Sequence, residues 1–245
     1  MLKRLIPVLL IDRDLRLVKT ENFKKRTYVG DPLNVVRLFN EMQVDEICIL
    51  DIDARLFGAE PNYGFIAEFA SECFMPLAYG GGIRDIKQAE ALNKLGVEKF
   101  ILGTEAMNIS FVSQMVNKFG SQAVVGCIDH ISQNVIKPDT NLKVGLCAKR
   151  MQDAGIGEII LQSIERDGAR CGYCLDIIRS VTNSLDIPVI ALGGARDSGD
   201  LEQALAAGAS AAASGSAFTF VGDLRAVLIN YPDYAEQLTI SGHGV

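Results

Sequence analysis

The chain repeats itself. The stretch Pro76-Leu-Ala-Tyr-Gly80-Gly81-Gly82-Ile-Arg84-Asp85 returns as Pro188-Val-Ile-Ala-Leu192-Gly193-Gly194-Ala-Arg196-Asp197, and a constant offset of 112 residues maps one onto the other. The register runs onward from Gly96 to Gly208 and from Gly103 to Gly215, and backward where Glu46–Asp51 lies over Glu158–Ser163. Each half alternates an apolar run of strand length, a polar or glycine-rich turn and an amphipathic segment of helix length, the pattern of parallel β-α units. Such units need right-handed crossovers and cover on both sheet faces. Two like halves of four units each, in a chain of 245 residues, predict a closed (β/α)8 TIM barrel. An open doubly wound sheet would not need eight evenly spaced units. The chain reads as one barrel domain over residues 1–245, with half-barrels of about 1–120 and 121–245.

Forty-nine per cent hydrophobic residues are enough for one large core, and a net charge of −6 argues against wholesale binding to nucleic acid or to an anionic membrane. No apolar run approaches membrane-spanning length, and Met1–Pro7 is too short an apolar stretch for a signal peptide. The cytoplasm is the expected compartment. The six cysteines mostly fall within apolar patterns, as free thiols do in a reducing compartment. Cys171-Gly-Tyr-Cys174 is the exception, but it has no second CxxC, and the chain's two histidines, His130 and His243, do not complete a zinc pattern. No metal and no cofactor are expected.

Strands are expected at Leu5–Ile11, Glu46–Asp51, around Leu77, at 100–102, 123–128, Glu158–Gln162, Pro188–Leu192 and Ala209–Ala213. Asp51, Gly80, Gly103 and Asp129 end their strands on one rim, the rim that carries the active site in barrel enzymes. Residues 12–30 read as a long first loop of the kind that binds or covers ligands, before Asp31 and Pro32 start a helix. The stretch after Asp129 is irregular until about Leu146, and Ser214–Phe218 leads into a short helix.

Glycines at a strand end beside a helix N-terminus free backbone N–H groups for phosphate. There is one such pairing per half: Gly81 and Gly82 with Gly103-Thr104, and Gly193 and Gly194 with Gly215-Ser216. Two anion sites on one rim suit an elongated, doubly phosphorylated ligand. The alternative is that these glycines serve only tight turns.

Lys3-Arg4-Leu-Ile-Pro7, Leu17-Val-Lys19, Asn22-Phe23, Gly30-Asp31-Pro32, Gly80-Gly-Gly-Ile83, Phe119–Val125, Ile128-Asp129, Gly157-Glu158, Arg166-Asp167-Gly168 and Gly193-Gly194-Ala195 together resemble the cyclase subunit of imidazole glycerol phosphate synthase. The resemblance spans nearly the whole chain. It implies a barrel that receives ammonia from a glutaminase subunit docked on the N-terminal rim, through a gate of charged residues that maps onto Arg4, Glu46, Lys99 and Glu158. It also implies a phosphorylated small-molecule ligand held by Lys19, Phe23, Gly81, Gly82, Thr104, Asp167, Gly168, Gly193, Gly194, Gly215 and Ser216.

Of the family's two catalytic aspartates, one matches Asp129, a carboxylate suited to proton transfer. The other should end the first strand, where Leu10 stands. Asp12 is the candidate substitute, but a residue two positions on sits about 6.6 Å further along the strand. The family's usual Asn after the fourth strand is Gly103 here, and the segment between Asp129 and Leu146 is shorter than usual.

These departures, with the ending Arg225–Pro232, resemble a branch that accompanies a glutaminase and a sugar amidotransferase in surface-polysaccharide synthesis. Two readings stand: an ammonia-conducting subunit for sugar amidination, and a genuine cyclase. The cyclase would take phosphoribulosyl formimino-AICAR phosphate and ammonia to imidazole glycerol phosphate and AICAR. A phosphate-binding scaffold without a channel is the third.

Overall fold

The computed structural model describes residues 3–136, 142–222 and 224–242. Eight parallel strands close into a barrel: β1 (Arg4–Ile11), β2 (Ile47–Asp51), β3 (Leu77–Gly80), β4 (Lys99–Leu102), β5 (Val124–Ile131), β6 (Glu158–Ser163), β7 (Val189–Leu192) and β8 (Ala211–Ser214). Closure comes from β8 pairing with β1, where Arg4 faces Ala211 and Pro7 faces Ser214. The helices α1 (Pro32–Glu41), α2 (Tyr63–Glu72), α3 (Ile86–Lys94), α4 (Ile109–Phe119), α5 (Val144–Asp153), α6 (Leu175–Thr182), α7 (Ser198–Ala206) and α8 (Tyr234–Ile240) alternate with them. Gly81 follows β3 and Gly193 follows β7, four strands apart in a ring of eight and so across the mouth from one another.

Strand alternation divides the core. Ile6 and Val8 of β1 join Cys48, Ala78, Ile101, Val125, Ile160 and Ile190 inside the barrel, while Leu5, Leu9 and Ile11 pack outward with helix residues such as Phe39 and Phe69. The helix starts are written locally. Asp31, Asp85 and Asp197 each cap a helix by accepting a backbone N–H three residues on, and the last two are repeat partners. Among the described residues no helix is long and apolar enough to cross a membrane.

Two expectations are corrected. The first loop contains a β-hairpin, Leu17–Glu21 against Lys25–Gly30, and the first of these strands also pairs with the end of β1. Between the paired Glu21 and Lys25 lie three residues: Asn22 and Phe23 both take positive φ (52° and 61°), which Asn tolerates, and the Lys24 N–H donates to the Glu21 carbonyl at 3.0 Å. Directly after β8, at residues 215–222, no helix forms. The Ala217 N–H donates to Ser214 Oγ at 3.0 Å, the chain turns at Ser216–Phe220, and Phe220–Val221 pairs with Ala226–Val227. Of the irregular stretch after Asp129, residues 137–141 lie outside the described residues, as does His243.

Candidate functional site

A cavity of about 850 Å³ opens at the C-terminal ends of the strands. Its wall includes Lys19, Phe23, Gly81, Gly82, Thr104, Asp129, Asp167, Gly168, Gly193, Gly194, Gly215 and Ser216, so the fold brings the expected phosphate residues and one expected aspartate to one space. Cys127 Sγ donates to Asp129 Oδ1 at 3.9 Å.

Lys19 enters from the hairpin. Its side chain is buried, its Nζ donates to the Val8 carbonyl at 2.6 Å, and burial pulls its pKa down to about 8 against the opposing pull of Asp167. Gly215 makes this possible, since a Cβ there would stand 2.5 Å from Lys19 Nζ. Asp167 is itself pushed up by burial, while Thr20 Oγ1 donates to it and Gln162 Nε2 donates at 3.4 Å. Gly168, at φ +67°, lies so close to the Thr20 carbonyl that any side chain would overlap it.

Leu10, not Asp12, lines the cavity. β1 ends at Ile11, so the two-residue alternation stops before Asp12. The Asp12 N–H donates to the Arg16 carbonyl at 3.2 Å, and its carboxylate accepts from the Asp14 and Arg16 N–H groups and from the Arg16 guanidinium at 3.0 and 2.8 Å. Burial alone would raise the Asp12 pKa; the bonds from Arg16 outweigh it and hold the carboxyl below the ordinary range.

At the opposite rim, Arg4 bonds to both Glu46 and Glu158, and Lys99 Nζ reaches Glu46 at 2.7 Å and Glu158 at 2.9 Å. Two cations and two carboxylates thus form a closed ring. Burial would lower the Arg4 pKa, but Glu158 and Glu46 raise it above the ordinary arginine value. Above the ring lies a void of about 10 Å³, near the size of one water. Glu46 is part of its wall, the rest is apolar or thiol-bearing, and Val8, Ile101 and Leu192 line both this void and the mouth cavity.

The sequence reading missed Asp51, Arg26, Arg55 and Arg84 in the cavity wall. Asp51 was legible as a strand end on the right rim. Its carboxyl accepts the Asp53 and Ala54 N–H groups at 3.0 and 2.8 Å, and burial raises its pKa. Arg26 had no local signal: it forks onto Asp53 at 2.6 Å through both terminal nitrogens, clamping the hairpin to the loop after β2. Among the described residues no three His, Cys, Asp or Glu side chains gather as a metal site.

A profile of the family described as histidine biosynthesis protein matches residues 4–224. A Pseudomonas aeruginosa protein named "Putative imidazole glycerol phosphate synthase subunit hisF2" is 46% identical over 243 residues, covering 94% of this chain and 96% of its own. A Leptospira borgpetersenii protein named "Putative imidazole glycerol phosphate synthase subunit HisF" is 43% identical over 246 residues, 96% of each chain. A Vibrio vulnificus protein with the corresponding name ending in hisF3 is 41% identical over 250 residues, 96% of this chain and 94% of its own.

Proposed function

The chain belongs to the histidine biosynthesis protein family, and on that premise we propose that it is the ammonia-receiving barrel of a glutamine-dependent synthase, used to amidinate a sugar in surface-polysaccharide synthesis. The observation that carries this reading is the ring of Arg4, Glu46, Lys99 and Glu158 beneath a small apolar void whose wall shares Val8, Ile101 and Leu192 with the mouth cavity. Paired charges shut a narrow opening to water and ions, and a neutral molecule of ammonia's size passes when one side chain swings aside. A glutaminase subunit docks on the N-terminal rim, where the ring lies, and a sugar amidotransferase uses the ammonia. The phosphorylated ligand sits at the mouth, with Lys19, Asp167 and the glycine turns around it.

The second reading is the ring-closing cyclase. The relatives' names favour it, as does Asp129, which lines the cavity. Against it stands Leu10 in the wall at the place where the resemblance expects the second aspartate, with Asp12 bound to Arg16 outside that wall.

The test reconstitutes the chain with a glutaminase subunit and measures glutamine hydrolysis and ammonia delivery. Glutamine-dependent amidination of a sugar substrate by the added amidotransferase, lost in Lys99→Met while external ammonium still supports the reaction, is the expected result. Efficient formation of imidazole glycerol phosphate instead would establish the cyclase reading.

A further inference from the structure

The two halves of the cavity differ in charge, and the internal repeat shows why. In the second half Arg196 is held by acids: its Nε donates to Asp197 Oδ2 at 2.8 Å, its terminal nitrogen lies 3.9 Å from Asp200, and it is absent from the cavity wall. Its counterpart Arg84 lines the cavity. The residue 112 positions before Asp200 is the neutral Gln88, and Asp85, the counterpart of Asp197, is kept but caps α3 and forms no ion pair with Arg84. Gln88 Oε1 accepts the Arg84 backbone N–H at 2.7 Å, as Asp200 accepts that of Arg196 at 2.8 Å, so the turn is kept while one of the two acids is replaced by a neutral amide.

The Arg84 guanidinium keeps one bond, to the Gly58 carbonyl at 3.2 Å, and has no carboxylate partner among the described residues. Arg55, in the same wall, likewise has no such partner there. Arg26, the third guanidinium of this side, is neutralised by Asp53. The acids on this side of the wall are Asp51, packed against Gly81 with its carboxyl held by the Asp53 and Ala54 N–H groups, and Glu105, which accepts from Asn108 Nδ2 at 3.4 Å. At the Gly193–Ser216 end the cation in the wall is Lys19, buried beside Asp167.

We infer that the Gly81–Gly82 end of the cavity is a subsite for a diphosphate group, held by Arg55 and Arg84, while the Gly193–Ser216 end takes a single phosphate. Guanidinium forks match the oxygen pairs of phosphoryl groups, and two such forks on one wall match two linked phosphoryl groups. Gly82 (φ +70°) keeps the turn bare: a Cβ would stand 2.8 Å from the Ala59 carbonyl and 3.3 Å from the Ala54 side chain. The ligand of the proposed function is then asymmetric, heavier in charge at the first half than at the second. This inference rests on the phosphate reading of the mouth.

The experiment is calorimetric titration of the full chain with inorganic pyrophosphate and, separately, inorganic phosphate at one ionic strength. Pyrophosphate is expected to bind about 10-fold or more tighter than phosphate, and Arg84→Ala and Arg55→Ala are each expected to erase most of that preference while phosphate still binds. Arg196→Ala, which removes the counterpart outside the cavity, is expected to leave the preference unchanged. Phosphate binding with no preference for pyrophosphate overturns this inference and leaves the phosphate reading standing. Binding of neither anion overturns both. A preference that survives loss of both arginines overturns the assignment to this wall.

Discussion

Arg16 grips Asp12 through Nε at 3.0 Å and a terminal nitrogen at 2.8 Å, and this fork fixes the carboxylate outside the cavity that Leu10 lines. With no acid at position 10, the mouth lacks the second aspartate that the family resemblance implies for ring closure.

Loss of one general acid-base group costs roughly 10²- to 10⁴-fold in rate. The purified chain given ammonium salt and the histidine-pathway intermediate should therefore turn over far below about 1 s⁻¹. Asp12→Asn should leave that residual rate unchanged, and should lower stability by roughly 1 kcal/mol through the weakened turn. The double change Leu10→Asp with Gly103→Asn should raise the rate. Gly103 tolerates the side chain, since nothing lies within 4 Å of a Cβ there. A wild-type rate near 1 s⁻¹, lost in Asp12→Asn, would reverse the assignment.

Breaking the ring should cost more than any surface ion pair. Glu46 and Glu158 are 3% and 4% exposed and share both cations. Glu158→Gln leaves two half-buried cations facing one buried carboxylate, and should destabilise by roughly 2–4 kcal/mol in urea unfolding. Lys99→Met leaves Arg4 to bridge both acids and should be milder. A loss below about 0.5 kcal/mol for Glu158→Gln would mean that the ring is open in solution.

Lys19 gives a pH test. Its pKa of about 8 in the fold lies below the ordinary lysine value, so between pH 8 and 10.5 the unfolded chain binds the extra proton. Its contribution to stability therefore rises with pH across that window. Buried thiols such as Cys48, whose pKa is raised by burial, contribute with the opposite sign, so the comparison must be with a variant. Lys19→Met should be more stable than wild type at pH 7 by roughly 1–3 kcal/mol, with the difference shrinking as pH climbs past 8. A constant difference would show that Lys19 titrates normally.

The same lysine should set the pH dependence of anion binding at the second half. Phosphate affinity at the Gly193–Ser216 end should fall as Lys19 loses its proton above pH 8, and Lys19→Met should bind weakly at every pH. Gly215→Ala should mimic that loss at pH 7, because its methyl takes the space of Lys19 Nζ. Unchanged phosphate binding in Gly215→Ala would place the anion elsewhere.

The sequence by itself determined the barrel and most of its mouth. An offset of 112 residues carries strand, turn and cap from one half to the other, and such signals are local: alternation of two along a strand, an aspartate three residues before the N–H it caps, a glycine where φ must be positive. The ring of Arg4, Glu46, Lys99 and Glu158 was legible through the family resemblance, and each of the four stands at or beside the start of a barrel strand. Only the tertiary structure decided what long-range contacts control. Asp12 and Leu10 share a parity, yet the strand ends between them and Arg16 turns the acid away. Arg84 and Arg196 are repeat partners, each followed by an aspartate, yet only Arg196 pairs with its neighbour while Arg84 lies in the cavity wall. Arg26 reaches Asp53 across 27 residues, and Thr20 reaches Asp167 across 147, separations over which side-chain bonds leave no periodic trace in sequence. Local backbone preference repeats along a chain; which charge finds which partner depends on the closed three-dimensional packing.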